Sequence, residues 1–299
     1  MTGIRPPVDI ERYIAETGAA VSAYLARVFP ADSQPARLFE AMNYSLLGGG
    51  KRIRPILCLA AARSFAVREE DAMPAAAALE LVHTYSLIHD DLPAMDDDDL
   101  RRGRPTNHRV FGEATALLAG DGLLTEAFAL LAQPLNVPPE RQLQMIQTLA
   151  RAAGPYGMVG GQQADMEANR RTGSLEQLAF IHRRKTGMLI QASVVIGGLF
   201  AALDQAKRDA LAAFGIEIGH AFQIVDDWLD VSGDASALGK QTGADERMQK
   251  LTYPSLIGLE QTRRLAEERY QAALAALDAA GIDAPLLTGL AAYVVQRDR

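Results

Sequence analysis

The stretch AAAALELVHTYSLIHDD, residues 75–91, decides the fold of this chain. Its alanines and leucines favour helix, and the apolar side chains of residues 75–89 recur at helical spacing. Pro93 follows two residues later and disfavours helix at the residue before it, Leu92. The sequence therefore predicts a long helix whose carboxyl end carries Asp90 and Asp91.

Helical patterns continue on both sides of this stretch, whereas no segment alternates apolar and polar residues as a half-buried strand would. Aromatic residues make up only 6% of the chain, and runs of β-branched residues are scarce. We therefore predict an all-α fold, a single large helical bundle that spans residues 1–299 as one domain. The predicted helices cover residues 39–47, 53–65, 75–89, 114–131, 140–152, 175–203, 207–230, 254–280 and 284–296.

Composition excludes several classes of protein. With 48% hydrophobic and 22% charged residues, the chain is neither disordered nor collagen-like. Cys58 is the only cysteine, which excludes an internal disulfide and a cysteine-based zinc site. Residues 186–203 carry no charge, but their polar side chains and glycine pair favour a buried core helix over a membrane span. Residues 1–12 lack the apolar core of a secretory signal, so we expect a cytoplasmic protein that spans no membrane.

Nine aspartates lie in two clusters and more than account for the net charge of −7. The first cluster contains Asp90, Asp91 and residues 96–99. Because Pro93 should deform the helix end, Asp90 and Asp96 are expected to converge across a bulge. Negative charge at a helix C-terminus is unfavourable, and this cost indicates a compensating metal ion. A plain polar helix terminus is the alternative.

The second cluster consists of Asp226, Asp227 and Asp230. On a helix, spacings of three and four residues place these carboxylates on one face, where like charges repel each other. Hard divalent cations take oxygen ligands, and Mg²⁺ is often shared between one or two carboxylates and substrate phosphates. A solvated helix face is the alternative, but apolar neighbours at positions 222, 224, 225 and 229 weaken it.

Short strings of basic residues accompany the acidic clusters. Residues 51–54 follow three glycines, residues 101–104 follow the first cluster, and Lys185 opens the uncharged helix. Residues 231–250, rich in glycine and poor in apolar residues, contain Lys240 and Lys250 and are predicted to form a lid. Carboxylates and cations in this arrangement are typical of sites that hold diphosphates through metal ions and through Arg and Lys side chains. A nucleic-acid surface would need clustered cations on an open face, so we expect none.

Together these motifs closely resemble those of the short-chain trans-prenyl diphosphate synthases, and within that family the bacterial farnesyl diphosphate synthases. The resemblance runs over nearly the whole chain and includes both aspartate motifs in the family's order. It is carried by GGGKRIRP at 48–55, HTYSLIHDD at 83–91, GGQ at 160–162, KTG at 185–187, FQIVDD at 222–227 and YVVQR at 293–297.

The resemblance implies the isoprenoid synthase fold, a helical bundle around a central cavity, and a Mg²⁺-dependent head-to-tail condensation. Isopentenyl diphosphate is joined to dimethylallyl and then to geranyl diphosphate, and diphosphate is released. The resemblance also implies three Mg²⁺ ions per active site, replaceable by Mn²⁺, and a homodimer. By the same match, the metal ligands are Asp90, Asp91, Asp96, Asp226, Asp227 and Asp230.

The resemblance also assigns the substrate pockets. The isopentenyl diphosphate pocket matches Lys51, Arg54, His83 and Arg102. The allylic pocket matches Arg101, Lys185, Thr186, Gln223 and Lys240, with Lys250 as a lid lysine. The expected catalytic residues are Asp90, Asp96, Lys185, Thr186, Gln223 and Asp226.

The product is expected to stop at fifteen carbons. Tyr85 lies five residues before Asp90, about 7.5 Å along a helix axis, and Ser86 lies beside it, so the tyrosine can form the floor beneath a growing chain. In the family an aromatic residue here goes with farnesyl products, and a geranylgeranyl diphosphate synthase is the alternative.

Functions of other classes are less consistent with the sequence. A helical metal-dependent phosphohydrolase, suggested by His89-Asp90, would need further histidine ligands with a partner motif. A terpene cyclase would normally carry an Asn/Asp, Ser/Thr and Glu triad in its second metal site, where this chain has three aspartates. A non-catalytic partner subunit would be expected to have lost one aspartate motif, and this chain retains both.

Overall fold

A computed structural model describes residues 9–168, 173–232 and 251–296, which are almost entirely helical. The all-α prediction is confirmed. The helices are α1 (Ile10–Leu25), α2 (Ala36–Leu46), α3 (Ile53–Ser64), α4 (Glu69–Asp90), α5 (Asn107–Phe111), α6 (Glu113–Ala132), α7 (Pro139–Ala153), α8 (Met158–Glu167), α9 (Leu175–His182), α10 (Met188–Gly198), α11 (Gln205–Ser232), α12 (Tyr253–Ile257), α13 (Leu259–Ala279) and α14 (Pro285–Gln296).

The centre of the bundle is formed by α3, α4 and α10, which pack directly against one another. Residues 56–62 of α3 and 75–82 of α4 are almost fully buried, as expected for helices that are apolar all round. Small residues allow the close approach: a Cβ at Gly197 of α10 would lie 2.1 Å from the Cys58 carbonyl oxygen on α3. The helix that carries the first aspartate cluster is therefore held on several sides by close-packed neighbours.

The sequence predicted no strand, but a small hairpin interrupts the helices. Two-residue strands β1 (Leu100–Arg101) and β2 (Arg104–Pro105) pair antiparallel, with Leu100 opposite Pro105. Arg102 and Gly103 form the turn at φ of 53° and 73°, the left-handed values that a tight two-residue hairpin turn requires. The hairpin follows the first aspartate cluster and presents two arginines close to it.

Two of the predicted helices are broken in the structure. Residues 175–203 form α9, a single π-helical turn (Arg183–Gly187) and α10, and the regular helix ends at Gly198. Residues 254–280 are divided into α12 and α13 at Gly258, whose φ of 79° is incompatible with continuing helix. The prediction of a buried core helix in 186–203 is confirmed for Met188–Gly198, where most side chains are buried.

The first and last described helices meet. Ile10 of α1 packs against Gly289 of α14, where an added Cβ would lie 2.3 Å from the Ile10 Cδ1 atom. Tyr13 belongs to the same apolar cluster as Leu286 and Leu290. This contact closes the bundle on one side.

One helix in the described ranges, α6, is long and apolar enough by composition to cross a bilayer, and 39% of its apolar window is buried. It packs on α4 and α2. Of the predicted lid, Val231 and Ser232 end α11, and residues 233–250, with Lys240 and Lys250, lie outside the described residues.

Candidate active site

The first aspartate cluster forms a tight turn at the end of α4. The helix ends at Asp90, and the Asp96 N–H donates to the Asp90 carbonyl oxygen at 2.8 Å, which folds the chain back on itself. Burial raises the pKa of Asp90 to about 6, with Asp96 and Asp91 acting in the same direction, while Lys185 and Arg101 oppose the shift. The predicted convergence of Asp90 and Asp96 across a bulge at Pro93 is therefore present.

Asp91 points toward the hairpin. Its carboxylate accepts two hydrogen bonds from Arg101 Nε, at 2.7 and 2.9 Å, and lies 2.5 Å from Arg101 Nη2. The Asp91 side chain is almost fully buried, whereas the Arg101 side chain is 26% exposed, so the carboxylate is the shielded member of the pair. Asp91 thus fixes Arg101 beside the first aspartate cluster, and its oxygens are engaged by an arginine.

Arg102 connects the hairpin to the glycine string. Its Nη1 donates to the Gly49 carbonyl oxygen, and a Cβ at Gly50 would lie within 2.6 Å of the same guanidinium. Gly50 also has a φ of 125°, a conformation that favours glycine. Gly50, which follows the end of α2, therefore makes room for Arg102.

The four residues matched to the isopentenyl diphosphate pocket come from α3, α4 and the hairpin. His83 of α4 is surrounded by cations: burial, and then Arg54, Arg102 and Arg101, hold its pKa well below the usual range. Burial also lowers the pKa of Arg54, against the opposing charges of Glu80 and Asp226. Lys51 is exposed at the start of this segment.

Of the residues matched to the allylic pocket, Lys185 and Thr186 lie on the π-helical turn, Gln223 lies on α11, and Arg101 lies on β1. Lys185 Nζ pairs with Asp165 of α8 at 2.7 Å. Burial acts to lower the pKa of Lys185, but Asp165, Asp90 and Asp96 raise it above its ordinary value. Lys185 therefore lies within electrostatic reach of the first aspartate cluster.

Thr186 links the π-helical turn to α11. Its Oγ1 donates to Gln223 Oε1 at 2.5 Å. Two glycines explain how this turn fits between its neighbours: a Cβ at Gly161 of α8 would lie 2.2 Å from the Lys185 backbone nitrogen, and a Cβ at Gly219 of α11 would lie 2.6 Å from Gly187 Cα. π-Helical turns of this kind are frequent at functional sites.

The three aspartates of the second cluster differ in burial and in their contacts. Asp226 is half-buried and acts electrostatically on Arg54. Asp227 is 6% exposed and accepts a hydrogen bond at 3.0 Å from the Tyr253 backbone N–H at the start of α12. Its carboxylate also lies 3.9 Å from His182 Nε2. Burial lowers the pKa of His182 to about 3, so that contact is not an ion pair at neutral pH. Asp230 is half-buried on the same helix.

The donor set fits Mg²⁺. The converging pair, Asp90 and Asp96, supplies the carboxylate oxygens that this ion prefers, and the raised pKa of Asp90 reflects in part the repulsion that a bound cation would relieve. Within the described ranges no three His, Cys, Asp or Glu side chains form a ready-made metal cluster. This is consistent with an ion that takes its remaining ligands from water and substrate phosphates.

Tyr85 and Ser86, the predicted chain-length residues, lie one turn before the first aspartate cluster. Tyr85 is 5% exposed and contacts the His89 ring edge to face, with centroids 5.6 Å apart. Ser86 Oγ donates to the His83 carbonyl oxygen. The His89 ring in turn fills the space above Gly120 of α6, and its Nε2 lies 3.0 Å from the Leu117 carbonyl oxygen. Tyr85 thus packs against His89, which in turn packs against α6.

Sequence reasoning missed several residues that shape the site. Asp165 lies three positions after the quoted GGQ motif, and its acidic side chain next to that motif was the available signal. Glu80 was visible as a lone acid within an otherwise apolar helix, and Arg52 as the middle residue of a cationic string. Tyr253, which anchors Asp227, gave no comparable signal.

The chain is similar to known proteins both in sequence and in fold. The family described as Polyprenyl synthetase matches residues 35–280. Farnesyl diphosphate synthase of Geobacillus stearothermophilus is 45% identical over 293 residues, which are 97% of this chain and 99% of the relative. Farnesyl diphosphate synthase of Escherichia coli is 45% identical over 300 residues, covering 98% of this chain and 99% of the relative. The crystal structure of geranylgeranyl pyrophosphate synthetase from Pyrococcus horikoshii superposes with a TM-score of 0.88 at 29% identity, covering 97% of this chain and all of the other. The chain therefore belongs to the polyprenyl synthetase family.

Proposed function

We propose that this protein is a farnesyl diphosphate synthase that condenses isopentenyl diphosphate with dimethylallyl diphosphate and then with geranyl diphosphate. The observation that carries the proposal is the convergence of Asp90 and Asp96 opposite Lys185, next to a second cationic group around His83. Two anionic substrates need two such cationic groups. Similarity to farnesyl diphosphate synthases over nearly the full chain supports the same activity.

The allylic diphosphate occupies the side formed by the aspartates and the π-helical turn. Asp90, Asp96 and Asp226 would hold the Mg²⁺ ions, which neutralise the diphosphate as it leaves and so favour cleavage of the allylic C–O bond. Lys185 and Arg101 add fixed positive charge toward the same leaving group. Thr186 and Gln223, which are hydrogen-bonded to each other, would orient the allylic substrate from its other side.

Isopentenyl diphosphate occupies the second group, Lys51, Arg54, His83 and Arg102. Its double bond attacks the allylic carbon, a new C–C bond forms, and one proton is lost from the resulting cation. The departing diphosphate is the proposed proton acceptor. His83 is unsuited to that role because burial and four nearby arginines make its imidazole a weak base.

Asp91 and Asp227 take supporting roles in this proposal. Asp91 holds Arg101, and Asp227 holds the start of α12. Both were matched to metal ligands in the sequence, but a carboxylate already engaged by a buried protein partner is less available to a metal ion.

The proposed assembly is a homodimer without a nucleic-acid or membrane partner, working in the cytoplasm. Leu117 and Leu118 of α6 are about half exposed and adjacent, with Val110 and Leu143 also exposed. Such apolar side chains are suited to burial against a second copy of the chain. Light scattering at working concentration checks this, and a monomer would contradict it.

Product analysis tests the proposed activity. The purified chain is incubated with dimethylallyl diphosphate, isopentenyl diphosphate and Mg²⁺, and the products are separated by chain length. A C15 diphosphate is the expected main product, and excess chelator should abolish turnover. A main product of C20 would favour the geranylgeranyl diphosphate synthase alternative, and the absence of any prenyl product would refute the proposal.

A further inference from the structure

A buried ion pair lies directly behind the proposed isopentenyl diphosphate pocket. Arg52 Nη1 lies 2.6 Å from Glu80 Oε1, and both side chains are 3% exposed. Arg52 Nη2 donates to the Leu46 carbonyl oxygen at 2.8 Å. Arg52 stands between Lys51 and Arg54 in sequence, yet its guanidinium points into the protein and two of its nitrogens are engaged there.

Backbone geometry accounts for this direction. Arg52 has a φ of 52° at the N-terminus of α3, a left-handed conformation that non-glycine residues adopt rarely and that surrounding contacts must hold. The contacts that hold it are those of its own side chain with Glu80 and Leu46. The left-handed backbone conformation directs the Arg52 side chain inward, whereas its neighbours Lys51 and Arg54 belong to the proposed pocket.

Glu80 also acts on the two arginines that the proposed function assigns to the substrate. It lies on α4, three residues before His83 and therefore on the same helix face. Among the charges that act on Arg54, and among those that act on Arg102, Glu80 is the first after burial itself. Both guanidinium groups are thus within electrostatic reach of this carboxylate.

A buried carboxylate that loses its partner recruits the nearest cation, since an unpaired charge in the interior is costly. Arg54 is a candidate, since the charge of Glu80 already acts on it. Its Nε is buried and has no hydrogen-bond acceptor among the residues that the structure describes. A guanidinium drawn toward Glu80 would be withdrawn from the substrate side.

We propose that Arg52 is a positioning residue whose ion pair with Glu80 leaves Arg54 and Arg102 available to the diphosphate of isopentenyl diphosphate. The inference rests on the proposed function for the identity of that substrate. It assigns no contact between Arg52 and substrate. Arg52 acts by occupying a carboxylate that would otherwise compete with the substrate for the pocket arginines.

A double-mutant cycle of Arg52→Met and Glu80→Gln tests this coupling. Each variant is assayed for KM toward isopentenyl diphosphate and geranyl diphosphate, and inorganic diphosphate binding is measured by calorimetry. Arg52→Met should raise KM for isopentenyl diphosphate by about tenfold or more, because Glu80 then competes for charge-assisted bonds, and change KM for geranyl diphosphate less than about twofold. The double variant should return within about threefold of the native KM, because it lacks the competing carboxylate.

Glu80→Gln alone keeps the test decisive if Arg52→Met does not fold. The substrate does not need the charge of Glu80, so this variant should retain KM for isopentenyl diphosphate within about threefold. Arg269→Met, which breaks a half-buried pair with Glu217 elsewhere in the bundle, is the control and should leave both KM values unchanged.

Three results would overturn the inference. They are a double variant as impaired as Arg52→Met, a parallel loss of affinity for both substrates, and a large rise in KM for Glu80→Gln. If the native chain forms no prenyl product, the proposed function fails, while the calorimetric titrations of the same four proteins still decide whether Glu80 competes for the diphosphate-binding arginines.

Discussion

Replacing Gly161 by alanine should disable the site without a change to any residue that contacts substrate. The new Cβ would lie 2.2 Å from the Lys185 nitrogen and 2.7 Å from its Cα. Ordinary contact begins near 3.4 Å, so α8 and the π-helical turn must separate by about 1.2 Å. Both close contacts are with backbone, which cannot rotate away as a side chain can.

Two opposing contributions determine the change in stability of Gly161→Ala. Alanine in place of glycine within a helix stabilises by roughly 0.5–1 kcal/mol, and overpacking destabilises by roughly 1–3 kcal/mol. The net loss of stability should thus be about 0–2.5 kcal/mol, and the protein should remain folded. Displacement of Lys185 by about 1 Å should reduce kcat on the order of a hundredfold.

Steady-state kinetics and thermal unfolding of Gly161→Ala measure the two effects separately. Gly18→Ala is the matched control, since its Cβ would meet only Ile56 at 3.9 Å. It should keep full activity and gain roughly 0.5–1 kcal/mol. If Gly161→Ala retains kcat within about threefold of the native value, the contact does not position Lys185, and the argument from misplacement is wrong.

Three further substitutions test the site. Asp90→Ala should reduce kcat by several orders of magnitude and leave Tm unchanged or higher, because relief of carboxylate repulsion offsets the lost side chain; a variant with native kcat contradicts a metal role for Asp90. Asp165→Asn removes the ion pair with Lys185 and should raise KM for geranyl diphosphate more than KM for isopentenyl diphosphate, as initial-rate assays will show; equal changes would indicate a general structural effect. Tyr85→Ala should release products of twenty carbons or more, at a stability cost of about 3–5 kcal/mol; chromatography that still shows mainly C15 refutes the floor.

Local signals in the sequence predicted the first aspartate cluster well. The end of α4 follows from Pro93, whose ring disfavours helix in the residues just before it. The convergence of Asp90 and Asp96 follows from the same break. The direction of Asp91 did not follow, because its partner, Arg101, belongs to a hairpin that the sequence did not indicate.

Tertiary contacts explain the features that escaped prediction. The π-helical turn at Arg183–Gly187 lies against Gly161 and Gly219, which are distant in sequence, so nothing within residues 175–203 predicted it. The pairing of Arg52 with Glu80 spans 28 residues and depends on a left-handed backbone conformation that an arginine seldom adopts. Such pairings appear only when two helices are brought into register.

The contact between α1 and α14 bears on the order of events during synthesis. Ile10 and Gly289, which meet at that contact, stand near opposite ends of the chain. A ribosome adds roughly 5–20 residues per second, so about 14 to 56 seconds pass between the synthesis of Ile10 and that of Gly289. During that interval one flank of Ile10 and Tyr13 stays accessible to chaperones, and the contact can form only after α14 has been synthesised.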